Sequence, residues 1–566
     1  MHRLLRIRAF GLIIGLILII IALGVLLISY ILAADPSEIP VSPERTISNT
    51  DVNPYGANFF LEREVEILKR EETVKMAAEA GIGWVKQQFV WAEIEPQDID
   101  LHDPINWQKS WGKYDEIVDL CERYGLQIIA RLDHPPAWTR QDNSLANAPP
   151  DDLADYADFV YGFVKHYQGR VRYIQIWNEP NIYPEWGNRE VDPAGYVEML
   201  KTAYQAVKSA NPNIYLLSAP MAPTLEDFSV RRNLSELVFL DEMYQAGAAS
   251  YFDILSANAF GFDLPPEDPP AETKLNFQRV KLQRQIMERH GDDHKAIWIN
   301  EYGWNASPET FTEEKLKWKR VSEEQQAEYL LRGIHMARQE WPWAGVFNIW
   351  YFRQVGNISP DEPEYYFRMV DVDFTPRQVY YAVKDAAAGL RAAGPGHFEE
   401  THPAVADGQN WQLVIDPLAS GGSYFTSRQA GTGLSFTFTG DSVELITRRG
   451  PNGGRLLITL DGRRVPGLPL DKQNRSYLDL YHSEMEWIRM PLVDDIGSGA
   501  HTLRLTVSDT VTQASPDSLC AVDAFNVQSA PSPTIPILPV ILLGIGMTVI
   551  SLSLYREISR NSWRRR

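Results

Sequence analysis

The chain has 566 residues, 44% hydrophobic and 23% charged, with a formal net charge of −20, a length that allows two or three domains. The first nine residues carry +3 and residues 556–566 carry +4, so the part between them carries −27. So acidic a body repels phosphate backbones, which excludes nucleic acid as a partner.

Phe10 to Ala34 is an uncharged run of 25 residues, more than the roughly 20 that a helix rising about 1.5 Å per residue needs to cross a bilayer. A signal peptide is the competing reading, but its apolar core is usually only about 7–15 residues, and Leu32-Ala33-Ala34 is a poor cleavage site. Near the other end, Ile535 to Tyr555 is a second uncharged run, of 21 residues, with Pro536 and Pro539 close to its start. Arg3, Arg6 and Arg8 precede the first run, and Arg556, Arg560, Arg564, Arg565 and Arg566 follow the second. Positive flanks stay cytoplasmic. Two transmembrane helices with both termini inside are therefore predicted, with residues 35–533 outside the cytoplasmic membrane.

After a polar, proline-bearing linker over 35–50, strand and helix patterns alternate from 51 to 395. The strand candidates are Tyr55–Phe60, Trp84–Phe89, Gln127–Leu132, Tyr173–Trp177, Ile214–Ser218, Ile254–Ala257, Ile297–Glu301 and Gly345–Tyr351. Helix-period segments lie between them, such as Tyr114–Tyr124, closed by Gly125, and Pro193–Ser209. Eight alternations fit a (β/α)8 TIM barrel, whose active site lies at the C-terminal strand ends. A doubly wound sheet is the competing fold, and the absence of a GxGxxG turn after the first strand argues against its nucleotide-binding form. Of the two cysteines, Cys121 falls in an amphipathic helix pattern and reads as a buried free thiol rather than half of a disulfide. No Cys/His cluster has zinc spacing, so neither metal nor cofactor is expected.

From Phe398 to about 528 the texture changes to short alternating runs separated by Gly, Asn and Asp, including Leu434–Thr439, Ser442–Thr447, Leu456–Leu460, Trp487–Pro491 and His501–Val507. This is an all-β sandwich pattern. Residues 529–534, beginning Ser-Ala-Pro-Ser-Pro, link it to the second apolar run and the basic tail 556–566.

Two strands end in carboxylates. Val171 to Asn181 runs VRYIQIWNEPN and places Glu179 at a strand end; Lys295 to Trp304, KAIWINEYGW, does the same with Glu301. Paired carboxylates are what glycosidic bond cleavage needs, since one group must protonate the leaving oxygen while the other attacks the anomeric carbon. A single strand-end Glu is commonplace; two on one face of a sheet are not.

WNEPN resembles the acid/base strand of the retaining glycoside hydrolases of clan A, the cellulase, xylosidase and β-galactosidase superfamily, and WINEYGW resembles their nucleophile strand. The likeness covers about residues 50–395. It implies an eight-stranded barrel with Glu179 as acid/base after strand four and Glu301 as nucleophile after strand seven. It further implies that Asn178 bonds the sugar 2-hydroxyl and that Trp350 lies under the bound sugar. GIGWVKQQFVWAEIEP resembles strand two, where the family's arginine supports the nucleophile; this chain has Lys86, a point charge without the planar fork. SANAFG resembles strand six, where the family often has His and Tyr; this chain has Asn258 and Phe260, with Tyr302 a candidate replacement for the lost hydroxyl. In RLDHPPAW, His134 and Trp138 are candidate sugar contacts, Trp138 because aromatic faces suit pyranose C–H surfaces. FTFTG, ITLDG, GAHTLRL and VDAF resemble the carbohydrate-binding-like jelly-roll modules appended to glycosidases.

The resulting expectation is a membrane-anchored, outward-facing retaining glycoside hydrolase acting on an oligo- or polysaccharide with β-linkages. A non-catalytic carbohydrate-binding or scaffold protein on a degenerate barrel is the alternative, motivated by Lys86, Asn258 and Phe260. A transglycosylase building surface polysaccharide would share every residue named.

Overall fold

The computed structural model describes residues 45–97, 111–226, 232–407, 410–497, 499–512, 514–528, 541–552 and 555, with eight residues between 13 and 23. It divides into two compact units, one of residues 43–528 and one of residues 1–42 with 529–566. In the second unit, the described residues are helical. No helix among the described residues is long and apolar enough to cross a membrane. Of the predicted spans, 10–34 has eight described residues and 535–555 has thirteen, all helical.

Residues 55–388 alternate strand and helix. The strands are β1 (Tyr55–Phe59), β2 (Trp84–Val90), β3 (Gln127–Asp133), β4 (Tyr173–Ile176), β5 (Tyr215–Leu217), β6 (Leu255–Phe260), β7 (Ile297–Gly303) and β8 (Ala344–Ile349). Each is followed by a helix, in turn α1 (Ile67–Glu79), α2 (Gly112–Arg123), α3 (Leu153–Tyr167), α4 (Pro193–Ala210), α5 (Glu236–Gln245), α6 (Val280–Arg289), α7 (Glu323–Glu340) and α8 (Gln378–Ala388). The sheet is parallel in the order β5-β4-β3-β2-β1-β8-β7-β6, and a bridge from Leu217 to Ile254 closes it. All eight predicted strands are present, the sixth running on to Phe260. Local chemistry sets the helix ends: Asp152 accepts the Ala154 N–H to cap α3, Ser322 and Gln325 form a capping box on α7, and Gly125, with φ +73°, ends α2.

Alternation along the strands sorts side chains between an outer shell and the barrel interior. At the N-terminal strand ends the interior is aromatic, with Trp84, Tyr173, Tyr215 and Trp298 in mutual ring contact. Trp84 and Trp298 donate their indole N–H groups to the Asn53 and Asn49 carbonyls of the entering chain. This floor belongs to one apolar cluster with the core of residues 396–528.

Those last residues form antiparallel sheets. One is four-stranded, in the order Glu486–Val493, Ser442–Arg449, Ala524–Gln528 and Gly396–Glu399, and another pairs Gly433–Thr439 with Ala500–Val507 and that strand with Arg455–Leu460. Phe436 stacks on Phe525 between them at 4.2 Å. The two domains are stitched by the Arg172 guanidinium on the Trp411 carbonyl and by the Glu399 N–H on Asp51. Cys121 and Cys520 are both buried free thiols.

Candidate active site

The carboxylates reach the site by different backbone devices. In β7, Ile299 pairs with Ala257 of β6 and Glu301 pairs with Asn258, so Asn300 is an extra residue, a bulge. Trp298 faces the interior, and strict alternation would then send Glu301 outward; the bulge resets the phase. Asn300 and Glu301 consequently both reach the interior side, Asn300 donating to Asn258 Oδ1 at 3.2 Å. Tyr302 is turned out, where its hydroxyl donates to the Leu330 carbonyl of α7 at 2.6 Å. The structure therefore does not bring Tyr302 to Glu301.

β4 ends at Ile176. Trp177 and Glu179 have φ of +71° and +40°, so strand alternation does not extend to them. Trp177 packs into the outer shell against Tyr156 of α3 and donates its indole N–H to the Glu185 carbonyl. It therefore points away from Glu179, whereas regular strand alternation sends residues two apart the same way. Glu179 is pinned through its N–H to the Pro220 carbonyl after β5, and Asn181 ties the same loop to Ala222 and Leu234.

Asn258 Nδ2 donates to Glu179 Oε1 at 2.6 Å. Since Asn258 is also the register partner of Glu301, one β6 residue joins both carboxylate strands. Burial, the Glu301 charge and the Glu185 charge raise the Glu179 carboxyl well above the ordinary range; the Asn258 bond and Lys86 oppose this. Glu301 is 7% exposed, with Lys86 Nζ 3.4 Å from its Oε1. Burial lowers the Lys86 ammonium to about 8, against the attraction of Glu301, so it is charged at neutral pH. Phe260 packs with Tyr351 and Phe367 and offers Glu301 no hydroxyl.

The remaining candidates separate. Trp350 stands edge-on to Phe60 at 5.9 Å, and both line a cleft of about 330 Å³ that Lys86 and Arg131 also border. Lys86 links the cleft to Glu301, which, like Glu179, is not among its lining residues. Asn178 is buried, and its Oδ1 has no partner among the described residues. His134, at φ +55°, places Nδ1 3.0 Å from Asp133 and 2.8 Å from Gln88 Nε2. Trp138 donates to the Glu95 carbonyl and packs on Trp91, so it is held as part of the shell.

Sequence reasoning gave no role to Arg131, Asp133, Glu62, Glu185 or Glu364. Arg131 pairs with Asp133 at 2.8 Å and borders the cleft, and Glu364 is raised by burial and by the Glu301 charge. The signal for β3 was available: with Ile129 on the interior side, alternation brings Arg131 and Asp133 there too. Together the residues hold a carboxyl that burial and a neighbouring charge bias toward its protonated form and a second carboxylate paired with a cation, at one strand-end face, an arrangement able to donate a proton and supply a nucleophile.

No family model matches the chain. A stretch of 114 residues, 20% of the chain, is 28% identical to a 6-phospho-beta-glucosidase of Clostridium longisporum. That match spans 23% of the relative's own length. Among solved structures, a family 39 glycoside hydrolase from Bacteroides cellulosilyticus is similar with a TM-score of 0.45 and 18% identity over 81% of both chains. A family 39 beta-xylosidase from Caulobacter crescentus is similar with a TM-score of 0.43 and 13% identity, over 82% of this chain and 98% of that one.

Proposed function

We propose that the chain is a retaining glycoside hydrolase of the clan A type, cleaving O-glycosidic bonds of a β-linked glycan by double displacement. The observation that carries this is the Glu179–Asn258–Glu301 juxtaposition, in which burial and the charge of one carboxylate raise the other. Glu301 attacks the anomeric carbon while Glu179 gives its proton to the departing glycosidic oxygen. Glu179, now a carboxylate, then takes a proton from water as that water's oxygen displaces Glu301. Lys86 places its ammonium against Glu301, where the family has arginine. Asn178, whose buried Oδ1 has no partner among the described residues, accepts from a sugar hydroxyl, and Trp350 presents its ring to the sugar.

Membrane anchoring belongs to the same proposal. It is supported by the uncharged runs 10–34 and 535–555 and by the arginines that flank them, which place residues 35–533 outside the cytoplasmic membrane.

The test is incubation of residues 35–533 with aryl β-glycosides and with 2-fluoro glycosides that trap a covalent intermediate. Aryl release with a glycosyl adduct on Glu301 supports the reading. Glycan binding without turnover or adduct favours the scaffold alternative, and growth of longer oligosaccharides favours a transglycosylase.

A further inference from the structure

A groove of about 650 Å³ lies at the N-terminal end of the barrel, where it meets the β domain. Its walls are the turns that close α2, α3 and α4 and the start of the strand Gln412–Ile415. Each of these segments sends in an amide: Gln127, Gln168, Asn211 and Gln412. The side chains of Gln127, Gln168 and Gln412 have no hydrogen-bond partner among the described residues. Asn211 Oδ1 accepts the Asn213 N–H at 3.0 Å, and its amide nitrogen has no partner there.

The charged groups of the groove are already engaged. Arg170 donates to Asp119 at 2.5 Å and to Glu122 at 2.9 Å, and Arg172 donates to the Trp411 carbonyl at 3.0 Å. Gly125, Gln168 and Asn211 follow the C-terminal ends of helices of 12, 15 and 18 residues, and such ends carry partial negative charge. An anionic ligand is thus opposed by three helix termini and by the acidic body, while a cationic one meets two arginines. The strand 412–415 is the outer strand of its sheet, the kind of edge to which a peptide strand can add. That edge is closed, because Asn213 Oδ1 accepts the Ile415 N–H at 3.2 Å and Arg172 holds the Trp411 carbonyl. What the groove offers is a set of neutral amides, each both donor and acceptor, and this matches a ligand of many hydroxyls.

We propose that this groove binds a segment of neutral oligo- or polysaccharide, a second glycan site at the end of the barrel opposite Glu179 and Glu301. Gln127 opens β3 and Asp133 closes it, so at about 3.3 Å per residue the two ends of the barrel are roughly 20 Å apart. The groove therefore holds polymer rather than the bond that is cut, and by tethering it raises the local concentration of cleavable bonds. Three of the four amides belong to the barrel, so the site is a property of the junction and not of the β domain alone. That the polymer held here is the one cleaved at the strand ends rests on the function proposed above; the binding of a neutral glycan does not.

The experiment runs the full-length chain, in mild detergent, through native gels cast with xylan, β-glucan or mannan, or with the acidic polymers polygalacturonate and alginate. At least one neutral polymer should retard the chain, and neither acidic one should. Gln127→Ala/Gln412→Ala removes two unbonded amides and should weaken the retarding interaction by at least about fivefold, a conservative value for two hydrogen bonds. Gln168→Glu keeps the side-chain length, adds a negative charge beside the helix ends, should weaken binding likewise, and stands in if the double variant does not fold. Turnover of a small aryl β-glycoside should be equal in all three chains, while KM on the retarding polymer should rise at unchanged kcat. No retardation by any neutral polymer, equal retardation by the acidic ones, or retardation undiminished in the folded variants would overturn the site. Groove-dependent retardation without any turnover would keep the site and remove the catalytic reading; turnover with retardation that ignores the groove would do the reverse.

Discussion

Asn258 Nδ2 donates to Glu179 Oε1 across 2.6 Å, from the strand beside the one that carries Glu301. A donor to a carboxylate favours its charged form, so Asn258 restrains the rise in Glu179 that burial and Glu301 cause. Burial and the Glu301 charge thus favour the proton on Glu179, and the Asn258 bond favours its release.

Asn258→Ala should therefore raise Glu179 further. An acid must be protonated to act, so the alkaline limb of kcat/KM moves to higher pH while the neutral rate falls, by about tenfold for a hydrogen bond of 1.5–3 kcal/mol only partly lost in the transition state. A pH–rate profile on an aryl β-glycoside checks it; an alkaline limb that stays or moves down contradicts the assignment.

The two glutamates should fail differently. Glu301→Ala should abolish turnover for every leaving group, because no covalent intermediate can form. Glu179→Ala should slow substrates with poor leaving groups by about 10²–10⁴-fold, the usual worth of general acid catalysis, and spare the first step for activated aryl groups. Comparing leaving groups of graded basicity separates the roles. Equal activity of the Glu179 variant on poor leaving groups would remove it from the mechanism.

Lys86 makes a pH prediction of opposite character. Its folded value, about 8, lies below the ordinary lysine value. The buried ammonium thus costs stability while both states are protonated, and that cost is relieved as pH rises from about 8 through the unfolded lysine range. Activity goes the other way, because deprotonation takes the partner from Glu301. Lys86→Arg, which stays charged, should remove the loss of activity near pH 8 and leave a broader alkaline shoulder, measured as kcat/KM between pH 6 and 10. If the loss near pH 8 persists, it belongs to another group.

Much of this was legible. The eight strands and the β region followed from period and punctuation, and the strand-end glutamates from WNEPN and NEYGW. What was not legible depends on backbone phase. Nothing in WINEYGW announces that Asn300 is a bulge, so the sequence could not decide between Glu301 and Tyr302 for the interior; the bulge chose Glu301 and sent Tyr302 to α7. The split between Trp177 and Glu179 is hidden for a related reason: alternation is a property of extended backbone only, and it stops where φ turns positive.

The barrel floor supplies a prediction on stability rather than chemistry. Gly345 opens β8 one residue after Ala344, and a Cβ there would fall 2.2 Å from Trp298 Nε1 and 2.5 Å from the Asn49 carbonyl oxygen. Those two atoms are already bonded to each other at 2.8 Å, so neither can retreat without breaking that bond or shifting the aromatic floor. Gly345→Ala should therefore destabilise by at least the 1–3 kcal/mol or so typical of overpacking a core, measured as a lower denaturant midpoint at unchanged slope. The active site lies at the other end of the strands, so kcat of the folded fraction should be unaltered. A variant as stable as the parent would mean that the indole is free to move, and that the floor does not fix the position of the entering chain.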